Sequence, residues 1–200
     1  MQIKNLKNLN KKNKESLNKN YNGCKGQIWI ETVIYVLIGL TVIAIILSIA
    51  TPQIQKMRER AILKQTINAL NELDGEVKKI EQAPGNIKII EFRIARGRLD
   101  INPVEDKITY VLENTNLEFS ESGEEIKEGE LTLKTEKVGR RFNVFLELRY
   151  RDKLNLLYKK GNEVKTLHGS ALYKIKIENL GNGIDETGSE KPTKIDFSVE

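Results

Sequence analysis

Apolar and polar positions along the chain follow three successive patterns. From Thr32 to Gln55 there are 24 uncharged residues dominated by Ile, Val and Leu, which at about 1.5 Å per residue make about 36 Å of helix, enough to cross a hydrocarbon core of about 30 Å. After Pro52 the pattern becomes amphipathic. Leu63, Ile67, Leu70, Leu73, Val77 and Ile80 recur at steps of three and four and so line one helical face. Asn71–Gly75 is a soft spot in this stretch, and Ala83-Pro84-Gly85-Asn86 is a firm stop. If Pro52 bends the helix without breaking it, a single helix runs from about Ile28 to about Gln82, its first half in lipid and its second half outside.

From Ile87 the period falls to two. The pattern predicts strands at 87–94, 107–112, 117–120, 130–136, 141–150, 154–159, 171–178 and 194–199. Turn signals separate them at Ala95-Arg96-Gly97, Asn102-Pro103, Ser122-Gly123, Val138-Gly139, Lys160-Gly161-Asn162 and Gly181-Asn182-Gly183. The expected fold is α+β: a long N-terminal helix, transmembrane then amphipathic, packed on a C-terminal antiparallel β-sheet or β-sandwich. The expected boundaries are 1–26 for a basic leader, 27–55 for the transmembrane helix, 56–83 for its amphipathic extension and 84–200 for an extracytoplasmic β-rich domain. The polar stretch Gly181–Pro192 reads as a surface loop.

Charge adds an orientation. Residues 1–26 carry seven lysines against Glu15, a net of +6, which leaves −1 for the rest of a chain whose total is +5. This Asn/Lys-rich stretch lacks the apolar content to fold and reads as a disordered leader. A basic tail before an apolar span holds the N-terminus in the cytoplasm. Lys56, Arg58, Arg60 and Lys64 follow the span with only Glu59 among them and oppose this bias, but seven against four still places the N-terminus inside. A secretory signal would put its small cleavage residue after the apolar run, whereas here Gly26 precedes it. Cys24 is the only cysteine, so no disulfide forms within a chain, and it stands on the wrong side of the apolar run for a lipoprotein signal.

The chemistry-bearing residues argue against an enzyme. His168 is the one histidine, in a predicted turn, with no second histidine or cysteine in the body to complete a metal site or a Cys/His pair. Glu105-Asp106 and Glu124-Glu125 fall in hydrophilic loops, and Asp100-Ile101-Asn102 lacks the glycine and distal glutamate of a calcium loop. No glycine-rich phosphate loop and no Asn-x-Ser/Thr sequon occurs. Neither cofactor nor metal is expected. Arginines at 93, 96, 98, 140, 141, 149 and 151 hint at a basic groove, but the body is near neutral and nucleic acid is not an expected partner.

One charge remains unexplained. Glu31 opens the apolar run, where a carboxylate costs about 2.5–3.5 kcal/mol at the bilayer centre on insertion scales, less near the interface. A glutamate in the first turn of a helix is favoured by the macrodipole and needs no partner at headgroup level.

The stretch Lys25-Gly26-Gln27-Ile28-Trp29-Ile30-Glu31, followed by an apolar helix, resembles the processing region of type IV pilin-like proteins, and is most similar to the archaeal form with a class III signal peptide. The resemblance covers roughly residues 20–55. It implies that a membrane prepilin peptidase cuts between Gly26 and Gln27 on the cytoplasmic side. It further implies that Glu31 is the assembly contact, pairing with the new N-terminal amine of a neighbouring subunit in a surface filament or pseudopilus. The implied partners are the peptidase, other pilin-like subunits and membrane lipid. The alternative is a single-pass signal-anchored protein whose β domain binds an extracellular ligand and does not polymerise.

Overall fold

The computed structural model describes residues 22–184 and 190–199. Residues 1–21 of the expected leader, and 185–189 of the expected loop, lie outside them. The chain divides into two compact units, 1–53 and 54–200. One helix, α1 (Asn22–Glu81), contributes to both and carries Pro52 within it. It starts five residues inside the expected leader and passes through the soft spot at Asn71–Gly75 without interruption. It ends just before Ala83-Pro84, where proline removes a donor and Gly85 turns at φ 82°.

In the first unit, the apolar side chains from Trp29 to Ile49 project outward, with Trp29 73% exposed. Trp29–Glu81 holds a stretch long and apolar enough to cross a membrane. Three of its hydroxyls bond back to the helix: Thr41 donates to Leu37 O at 2.7 Å, Ser48 to Ile45 O at 2.8 Å and Thr51 to Leu47 O at 2.7 Å.

The second unit is α+β. Its strands are β1 (Ile87–Ile94), β2 (Arg98–Asn102), β3 (Lys107–Thr115), β4 (Glu125–Glu128), β5 (Leu131–Val138), β6 (Arg141–Arg149), β7 (Leu154–Tyr158), β8 (Lys165–His168), β9 (Ala171–Ile184) and β10 (Glu190–Val199). They form a four-stranded sheet ordered β1-β9-β10-β7 and a six-stranded sheet ordered β4-β5-β6-β3-β2-β8. The named strands pair antiparallel, as expected, except β10 with β7, which is parallel. The stripe from Leu63 to Ile80 joins inward residues of both sheets in one core. Leu99, Tyr110, Leu146, Ile175, Leu156 and Phe197 are among its fully buried members. This burial holds the helical part of the unit, since about 1.5–3 kcal/mol accompanies each large apolar side chain taken out of water.

Three strands were not anticipated. β2 lies between two turn signals, while β4 and β8 are four-residue edge strands, β4 exposed throughout. Conversely, 117–120 is not a strand. Leu117 is buried, but its N–H is taken by Thr115 Oγ1 at 3.0 Å, and Ser120 N–H and Oγ both bond Thr135 Oγ1. Side-chain acceptors there replace a ladder. Gly97 marks the close approach at the foot of β2. Its φ is 86°, and a Cβ would sit 2.3 Å from Val111 O, so no other residue fits.

Candidate functional site

The residues expected to carry function lie in the first half of α1. Gly26 and Gln27 are within the helix, and so is Cys24. Glu31 is exposed and sits nine residues beyond the helix start at Asn22, so the expectation of a helix-start glutamate stabilised by the macrodipole does not describe this chain. Among the described residues its polar contact is the Tyr35 hydroxyl one turn on, donating at 3.5 Å. That distance is at the limit of a hydrogen bond and leaves the carboxylate available to a stronger donor.

Polar contacts that the apolar pattern does not reveal also hold the second half of α1 to the β-strands, three of them centred on the buried residues Glu59, Asp74 and Asn179. The first centres on Glu59, 6% exposed. Its Oε1 accepts from Arg96 Nη1 at 2.7 Å, and its Oε2 accepts from Thr115 Oγ1 at 2.7 Å and Asn116 N at 2.9 Å. Burial by itself pushes this carboxyl up, but the hydrogen bonds from Thr115, Arg96 and Asn116 outweigh it and hold the pKa below the ordinary 4.5. Arg96 is fixed in turn by the Glu113 and Asn114 carbonyls, and the Tyr110 hydroxyl donates to its backbone carbonyl.

The second contact is buried Asp74, which accepts from the Tyr150 hydroxyl at 3.0 Å and pairs with Lys78 at 2.8 Å. Burial first, and the Asp74 charge second, push the Tyr150 phenol up, so it remains a donor. A cleft of about 270 Å³ opens here, lined by Asp74, Lys78, Glu130, Tyr150 and Lys153 among others. Across it Lys153 meets Glu130 at 3.1 Å and Lys78 meets Glu130 at 3.7 Å.

The third contact caps the end of α1. Asn179 in β9, 1% exposed, donates through Nδ2 to the Ile80 and Glu81 carbonyls at 2.9 and 3.1 Å, and its Oδ1 accepts from Gly181 N at 2.7 Å. The last carbonyls of a helix lack intrahelical donors, and a side chain from a distant strand supplies them here.

The remaining candidates have structural partners. His168 ends β8, not a turn, and its carbonyl accepts from Tyr173 Oη at 2.9 Å. Glu125 belongs to β4 and accepts from both terminal nitrogens of Arg149. Asp100 is in β2, bound to Arg98 and to Thr166. Of the missed residues, Glu59 had a signal in the sequence, as the one acid among four closely spaced cations; Asn179 had none.

No family model matches the chain, and neither a curated protein nor a solved structure matches it significantly.

Proposed function

We propose that the protein is a type IV pilin-like, membrane-anchored subunit, cut by a prepilin peptidase after Gly26 and assembled through its helix into a surface filament or pseudopilus. The observation that carries this reading is a single helix whose first half exposes apolar side chains around one carboxylate, Glu31, and whose second half belongs to the core of a β-rich unit. Cutting before Gln27 would remove Asn22–Gly26 from the helix. The first turn would then be Gln27–Ile30, with a free amine and unsatisfied N–H groups beside Glu31. A carboxylate in lipid is costly alone and is attracted strongly by an ammonium, although desolvation cancels much of that gain. Pairing between neighbours through unlike surfaces builds a filament where the repeat does not close into a ring.

Mass spectrometry of the protein extracted from membranes tests the first step. A chain beginning at Gln27 is expected, and an intact Met1 terminus overturns the processing. A Glu31→Ala chain is expected to be cut normally yet to be missing from sheared filaments; its normal incorporation rejects the pairing. The second reading, a signal-anchored β module that binds a ligand, draws on the cleft at Tyr150. It predicts that the protein stays with membranes after shear.

A further inference from the structure

The segment of α1 that opens the second unit carries a charge pattern that the proposed pairing at Glu31 does not use. Lys56, Arg58, Arg60 and Lys64 are exposed and, among the described residues, make no ion pair. The one acid between Ile54 and Asn71 is Glu59, and it is withdrawn into the β-strands, where Arg96, Thr115 and Asn116 occupy both its oxygens. The exposed charge of this segment is therefore wholly positive. Beside the cations stand two exposed apolar residues, Ile54 just before Lys56 and Met57 just after it, the latter 71% exposed. Long basic side chains directly after an apolar run are what a bilayer's polar layer accommodates: the stems lie along the acyl boundary and the charged ends meet phosphate. From Lys56 to Lys64 the helix rises about 12 Å, which long side chains can fold back into a headgroup layer of about 5–8 Å per leaflet.

We infer that Lys56, Arg58, Arg60 and Lys64 form a binding surface for the anionic headgroups of the bilayer, one that exists because Glu59 is turned into the fold. This rests on the reading of α1 as a membrane anchor. It also gives the four cations a reason to stand on the side of the span that the positive-inside bias disfavours.

The test is native mass spectrometry of the full chain taken from mixed vesicles of phosphatidylcholine and phosphatidylglycerol, reading the ratio of anionic to neutral lipid retained. The leader lysines are unaltered throughout. Arg58→Gln is expected to lower the ratio about fivefold, the equivalent of about 1 kcal/mol per basic residue near an anionic surface, with further falls as Lys56, Arg60 and Lys64 follow. Lys56→Arg with Lys64→Arg is expected to keep the ratio. A fourfold glutamine chain with native circular dichroism and an unchanged ratio overturns the inference. So does a fourfold chain that keeps the ratio but loses self-association, which assigns the cations to a second copy of the protein. Failure of the chain to float with phosphatidylcholine vesicles defeats the anchor itself. Flotation with an unchanged ratio defeats the lipid surface alone.

Discussion

Replacing Glu59 probes the contact that ties α1 to the β-strands. In Glu59→Ala, the Thr115 hydroxyl and the Asn116 N–H lose their acceptor inside the fold, and Arg96 loses its carboxylate. Breaking a buried pair by deleting one partner costs about 3–5 kcal/mol, but the Arg96 side chain is 40% exposed and can recover water, so about 2–3 kcal/mol is the fitting range. For a folding unit of this size that lowers Tm by roughly 5–10 °C. Glu59→Gln keeps one carbonyl acceptor but sets an amide N–H₂ against a donor, and about 1–2 kcal/mol is expected. A double-mutant cycle with Arg96→Met should return a coupling of about 1–2 kcal/mol.

The assay is thermal unfolding of the full chain in detergent, followed by circular dichroism of the β signal, at a series of pH values. Glu59 has a folded-state pKa below its ordinary 4.5. Its contribution is therefore complete above the unfolded value and is lost as pH falls through the folded one. The stability gap between wild type and Glu59→Gln should accordingly narrow on acidification below about pH 4.5. A gap that stays constant from neutrality to strong acid, or a Glu59→Ala chain within about 0.5 kcal/mol of wild type, refutes the reasoning.

Asn179→Ala removes the donor that caps Ile80 and Glu81 and the acceptor of Gly181 N. It should cost about 2–3 kcal/mol in the same melt and speed amide exchange in the last turn of α1. Thr109 Oγ1 in β3 is buried and has no hydrogen-bond partner among the described residues. Thr109→Val should therefore be neutral or stabilising by up to about 1 kcal/mol, and a loss of stability would show that the hydroxyl has a partner in solution.

Sheet alternation was legible where it was long. The strand at 87–94 matches β1 residue for residue, and 141–150 and 154–159 match β6 and β7 to within one residue at one end. It was not legible in β4 and β8, because four residues at a sheet edge with one face in water carry too few apolar positions to mark a period. At 117–120 the pattern suggested a strand, but threonine and serine hydroxyls took the backbone and neighbouring side-chain partners there.

Composition and period, read along the chain alone, determined the apolar span, the amphipathic stripe from Leu63 to Ile80, the α+β layout and the lone Glu31, because each is a local repeat or a local exception. Tertiary structure decided the rest. The parallel pairing of β10 with β7, the capping of Ile80 by Asn179 and the burial of Glu59 against Arg96 and Thr115 all join residues far apart in sequence. Glu59 shows why. In sequence it is one acid diluting four cations, and only the fold, by supplying three donors where its carboxylate is buried, removes it from the surface and leaves those cations unopposed.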